Sequence, residues 1–233
     1  RGAPMMQTVP CTGLMAIAAT LVCACTPSGT DSPTASARTA AGHPSSVPLA
    51  GTSTGPTHAY TDPAWGFQID VPARWTIRHD FPHDYFANGA WKAFAPLDSS
   101  GSPVLALVVP GSDHVTDAEL RIGASKSAQD VRDCMDPPQN VRADSMDSVT
   151  INGTRFTRFD AGDAAMSHHL NVRSYRGVHD GACYAIDLLV YGVDPRVYDP
   201  PATPPFTDAQ AFARMQAVVE TFRFQRLSSA ATT

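Results

Sequence analysis

Between Thr26 and His58, only Asp31, Arg38, His43, Val47, Leu49 and His58 are anything other than Ser, Thr, Pro, Gly or Ala. A segment so poor in large apolar side chains cannot bury enough surface to offset the entropy of ordering it, and it is expected to stay disordered. That expectation takes the first quarter of the chain out of the folding problem. What remains is one compact region, so the chain divides into 1–24, a tether over 25–58, a globular head over 59–226 and a short tail over 227–233. A flexible tether of this length spans about 30 Å root-mean-square, and more where proline stiffens it. Within it, Gly51-Thr52-Ser53-Thr54-Gly55 has the spacing of a nucleophile elbow but lacks the strand before and the helix after that would expose such a serine.

Ahead of the tether, Leu14 to Ala24 is mostly apolar and ends at Cys25. A helical span needs about 20 apolar residues, whereas the core of an export signal needs about 7 to 15, so the segment belongs to the second class. Val22-Cys23-Ala24-Cys25 resembles the lipobox of bacterial lipoproteins, with a small Ala before the cysteine. The resemblance implies cleavage before Cys25, acylation of Cys25, and a head held outside the cytosol at the cell envelope with the membrane as its first partner. Cys23 is the rival, but it would put Val22 where a small side chain is preferred. Other readings are an ordinary secretory leader, or a short buried helix of a chain that starts further upstream. Arg1 is the only basic residue ahead of the apolar core, where a lipobox leader should be basic.

The excess negative charge lies in the head, because of 17 Lys and Arg and 22 Asp and Glu only Arg1, Arg38 and Asp31 precede residue 59. With Lys92 and Lys126 the only lysines, nucleic acid is excluded as a partner, since phosphate neutralisation needs a basic face. All acidic residues but Glu119 and Glu220 are Asp, which suits turns and caps. Once Cys11 and Cys23 leave with the leader and Cys25 is acylated, Cys134 and Cys183 remain. In an oxidising compartment this pair reads as one disulfide, the alternative being two buried thiols.

Phe67, Ile69 and Val71 alternate with Gln68 and Asp70, predicting a half-buried strand stopped by Pro72, and Trp75 opens a second extended run. Trp91–Leu97 and Val104–Val109 read as strands, the latter central in the sheet. Thr116-Asp117-Ala118-Glu119 has the form of a capping box and predicts a helix running toward Cys134. Strands follow at Ser148–Ile151, Thr154–Asp160, Ser167–Tyr175 and Cys183–Tyr191, with Asn152-Gly153 as a tight hairpin turn between the first two. Thr207-Asp208-Ala209-Gln210 caps a second helix, and Phe222–Phe224 closes the chain as a short strand. This order predicts an α+β fold, an antiparallel sheet with helices packed on it.

Gly66-Phe67-Gln68-Ile69-Asp70-Val71-Pro72-Ala73-Arg74-Trp75 resembles the opening of PsbP-like domains, the fold of the photosystem II extrinsic subunit. The ending, Val219-Glu220-Thr221-Phe222-Arg223-Phe224, is similar as well. The resemblance covers Tyr60 to Arg226 in outline. It implies an α/β/α sandwich around an antiparallel sheet, usually without catalysis, and carries over no functional residue.

His79-Asp80-Phe81-Pro82-His83-Asp84 is the densest group of metal-ligand side chains, but Pro82 argues against the helix that would put both histidines on one face. His168 and His169 are adjacent in a strand and point to opposite faces. Asp133/Asp136, Asp144/Asp147 and Asp160/Asp163 sit three apart without a calcium-loop continuation. No catalytic, cofactor or metal residue is therefore assigned, and no cofactor is expected. The loop Asp194 to Pro205, with five prolines and Tyr198, offers a pre-stiffened docking element. The expected function is a monomeric, membrane-anchored binding or accessory module whose partner is an envelope protein or a small ligand. The alternative is an envelope hydrolase with dispersed Asp, His and Ser.

Overall fold

The computed structural model describes residues 55–81, 83–85, 90–139 and 141–225. The expectations for the leader, Cys25, most of the tether and the tail lie outside these residues. In chain order the elements are β1 (Thr57–Asp62), β2 (Phe67–Pro72), β3 (Thr76–Arg78), β4 (Ser102–Val108), β5 (Thr116–Ser125), α1 (Ala128–Arg132), β6 (Asp147–Ile151), β7 (Thr154–Ala165), β8 (His168–His179), β9 (Ala182–Val193), α2 (Asp208–Val219) and β10 (Arg223–Phe224). A seven-stranded antiparallel sheet runs β3-β4-β5-β9-β8-β7-β6, and a small sheet runs β1-β2-β10.

Alternation along the strands gives the large sheet two faces of different chemistry. The first face carries Leu105 and Leu107 of β4, Leu120 and Ile122 of β5, and Ile186, Leu188 and Val190 of β9. It packs against Phe67, Ile69 and Val71 of β2 and against Ala211, Met215, Val218 and Val219 of α2. Phe222 joins the layers, its ring stacked on Phe67 at 5.3 Å and edge-on to Phe156 at 6.0 Å. α2 begins where the sequence predicts: Thr207 accepts from the Gln210 amide while the Gln210 side chain accepts from the Thr207 amide. The β6–β7 hairpin turns at Asn152 and Gly153, both at positive φ (45° and 85°), as the Asn-Gly pair predicts.

Five expectations are corrected. Thr116-Asp117-Ala118-Glu119 does not open a helix but begins β5, and the helix is confined to the five residues of α1, capped by Ser127. The reason is non-local: β5 pairs with β4 on one side and with β9 along its whole length on the other, and Ala118, Leu120, Ile122 and Ala124 supply the core periodicity of a strand. The turn signal belongs to Asp113, whose carboxylate accepts the Val115 and Thr116 amides. Trp91–Leu97 is not a strand. It crosses the second face as bends and turns, because the neighbouring strands are already paired on both edges.

The other three concern strand order, layers and boundaries. β4 lies one strand in from the edge, and β9 is the central strand. The α/β/α layering is only partly present, since one face bears α2 with the small sheet and the other bears an irregular loop with α1. β1 was not foreseen; it begins at Thr57, two residues inside the segment read as tether, and pairs antiparallel with β2.

Candidate functional site

The second face of the large sheet is where ionisable groups gather. In β5, Asp117, Glu119 and Arg121 project from alternate positions, and β9 and β8 add Asp187, Ser174 and Arg176 across the ladder. A strand with one apolar and one charged face must neutralise its charges if both faces are covered. Two clusters do so.

In the first cluster, the Arg121 guanidinium donates from Nε to Glu119 Oε2 at 2.8 Å and from Nη2 to the His83 carbonyl at 2.5 Å. The Tyr85 hydroxyl donates to Asp117 Oδ2 at 2.5 Å and lies 2.8 Å from His83 Nδ1, which is itself 3.1 Å from Asp117 Oδ2. With the tyrosine O–H directed at Asp117, His83 is assigned an N–H at Nδ1 directed at the tyrosine and carboxylate oxygens. Burial and the bond to Asp117 push the Tyr85 phenol well above its ordinary value. Burial also raises the Glu119 carboxyl, against the opposing pull of Arg121. Asp117 Oδ1 and Glu119 Oε1 are buried without a hydrogen-bond partner. The half-exposed His83 thus meets Tyr85 and Asp117 at hydrogen-bond distance, with Glu119 Oε2 3.9 Å away. The Arg121 guanidinium already supplies a positive charge to Glu119, through Oε2.

In the second cluster, Asp187 accepts from Ser174 Oγ, Arg176 Nη1 and the Ala93 amide at 2.6, 2.6 and 2.7 Å. Asp130, the buried acid of α1, accepts from Ser99 Oγ, the Ser100 amide and Ser125 Oγ at 2.5, 2.9 and 2.8 Å. Burial alone would raise the Asp130 carboxyl, but these bonds hold it below its ordinary value. A cavity of about 230 Å³ opens beside Asp130, Lys92 and Arg176. Ser99, on its wall, accepts from Trp91 Nε1 at 2.8 Å. The backbone of Trp91 lies so near the sheet that a Cβ on Gly123 would stand 1.7 Å from its carbonyl oxygen. Only glycine fits there.

Cys134 and Cys183 lie at disulfide distance, 2.09 Å between sulfurs and 5.6 Å between Cα atoms, joining the end of α1 to the start of β9 beside Trp91 and Ala185. His79 and His83 do not converge: His79 Nδ1 lies 3.2 Å from the Val104 carbonyl, while His83 belongs to the first cluster. His168 stacks on Tyr191, and His169 pairs at 3.4 Å with Asp208. Asp160 holds Arg173 and Asp147 holds Arg158, whereas Asp133 and Asp136 border the cavity. Tyr198 is half-buried, its ring edge-on to His114. Among the described residues no three His, Cys, Asp or Glu side chains form a metal-binding group, and no helix is long and apolar enough to cross a membrane. Sequence reading missed both clusters, since a helix at Thr116–Glu119 would not have set Asp117 and Glu119 on one face; the signal was the i, i+2 spacing of Asp117, Glu119 and Arg121.

No family profile and no curated protein matches the sequence. Among solved structures, the fold is similar to the cyanobacterial PsbP of Synechocystis, with 11% identity, 75% of this chain and 95% of that chain covered, and a TM-score of 0.36. It is also similar to a Pseudomonas aeruginosa protein of unknown function, with 13% identity, 63% and 90% covered, and a TM-score of 0.29. Neither similarity bears on function.

Proposed function

We propose that this chain is an extracytoplasmic module, anchored through an acylated Cys25, that binds a partner or small ligand without catalysing a reaction on it. The observation that carries the location is the pairing of Cys134 with Cys183 in a head that follows an export-type leader, since such pairs persist outside the reducing cytosol. Binding without chemistry is supported by the second cluster, whose carboxylates are held by donors from several elements. Such acids are structural, and they shape a cavity instead of attacking a substrate. The test is fractionation with fatty-acid labelling. The wild-type chain is expected in the membrane fraction carrying label, and Cys25→Ala without it; label retained by Cys25→Ala overturns the anchor.

A second reading, an envelope hydrolase, is favoured by His83, Tyr85 and Asp117 meeting within hydrogen-bond reach, with Glu119 Oε2 3.9 Å from His83 Nδ1. Turnover of ester or amide substrates that is lost in both His83→Ala and Asp117→Asn would establish it over the binding reading.

A further inference from the structure

The cavity beside Lys92 has an electrostatic layering that selects a ligand class. Lys92 is 8% exposed. Its Nζ lies 3.8 Å from Asp130 Oδ1, too far for a hydrogen bond, and 4.8 Å from the centre of the Trp91 ring. Among the described residues its ammonium has no hydrogen-bond acceptor, so its three donors are unfilled although Asp130 pairs with it as an ion and the Trp91 ring lies beside it. The hydrogen bonds of Asp130 come instead from Ser99, Ser100 and Ser125. Arg176, on the same wall, is closed by contrast, with Nη1 on Asp187 and Nη2 on the Ala93 carbonyl. The Lys92 donors are thus the open positive group of the cavity interior.

The mouth is lined with the opposite sign. Asp98 and Asp136 are exposed and Asp133 is half-exposed, all bordering the same cavity. A simple anion meets acceptor-hungry donors inside but like charge at the entrance, and a simple amine meets the reverse. A molecule with a carboxylate at one end and an ammonium a few bonds away satisfies both layers. A volume of about 230 Å³ lies below the roughly 300 to 1,000 Å³ of drug-sized pockets, so the ligand is small.

We propose that this cavity binds a small zwitterion of the amino-acid class, its carboxylate on Lys92 and its ammonium among Asp98, Asp133 and Asp136. The proposal rests on the binding reading of the head and gives it a ligand class. Burial and the nearby Arg176 push the Lys92 ammonium below its ordinary value, and a bound carboxylate restores it.

The test is calorimetric titration of the purified full chain with glycine, β-alanine and 4-aminobutanoate, each against its matched carboxylic acid and amine. At least one amino acid is expected to bind at millimolar concentration or below, with its acid and amine weaker by about tenfold or more. Lys92→Met, which keeps the stem over Trp91, should abolish the heat, with folding checked by the tryptophan near-ultraviolet signal. Should that variant not fold, the exposed pair Asp98→Asn and Asp136→Asn decides: it should weaken the amino acid while leaving or improving the acid. No binding by any amino acid, equal binding of an acid and its amino acid, or full affinity in a folded Lys92→Met would overturn the assignment. The anchoring result is read separately from Cys25→Ala, so failure of the cavity and failure of the module are distinguishable.

Discussion

Single residues on the second face show how a buried charge is tolerated. Glu119 is wholly buried, and Arg121 is its one ion-pair partner within 3 Å. Removing one member of a buried pair leaves the other uncompensated, so Arg121→Met should lower stability by about 3 to 5 kcal/mol at neutral pH in urea unfolding. The pH dependence follows from the raised Glu119 carboxyl: its stabilising contribution is complete below the ordinary glutamate value and is lost as pH rises through the folded value. The deficit of Arg121→Met should accordingly shrink as pH falls, becoming smallest below about 4.3, where Glu119 is neutral in both states. Asp130 behaves oppositely. Its lowered carboxyl contributes stability above the ordinary aspartate value and loses it as pH falls through the folded value. Ser125→Ala removes one of its donors and should move the midpoint of acid unfolding upward, read by tryptophan fluorescence.

At the scale of elements, the decisive contest lies at β5. Its first four residues carry a helix-start pattern, yet they form a strand flanked by β4 and β9, and that pairing places Asp117 and Glu119 side by side on one face. A local cap contributes about 1 kcal/mol, whereas the buried side chains Leu120 and Ile122 contribute roughly 1.5 to 3 kcal/mol each. Packing of the Trp91 loop over this strand depends on Gly123. Gly123→Ala should displace the loop and destabilise the head, and a change in the near-ultraviolet signal of Trp91 checks it. The hairpin at Asn152-Gly153 and the α2 cap were legible because each is set within four residues. The loop from Trp91 to Leu97 was not, because Trp91, Ala93 and Phe94 serve as a cover layer rather than as a paired strand.

For the whole head, Cys134 and Cys183 close a loop of 49 residues that contains β6, β7 and β8. Opening a loop of that length restores chain entropy to the unfolded state worth about 4 kcal/mol. The double variant Cys134→Ala and Cys183→Ala should lose about that much in denaturant unfolding, with the slope altered as the unfolded state expands. The first-face core, with α2 and the small sheet, is independent of the bridge and should remain the last part protected from hydrogen exchange.

The residues by themselves determined an antiparallel, strand-rich head, the hairpin, the capped last helix and the identity of the two paired cysteines. Each is a matter of short-range periodicity, turn chemistry or composition. Only the tertiary structure decided that Thr116–Glu119 is a strand, that Thr57 and His58 belong to the head, and that Lys92 faces a cavity ringed by Asp98, Asp133 and Asp136. Those outcomes turn on which strand lies beside which, and pairing energy between distant segments exceeds any preference a few neighbouring residues express.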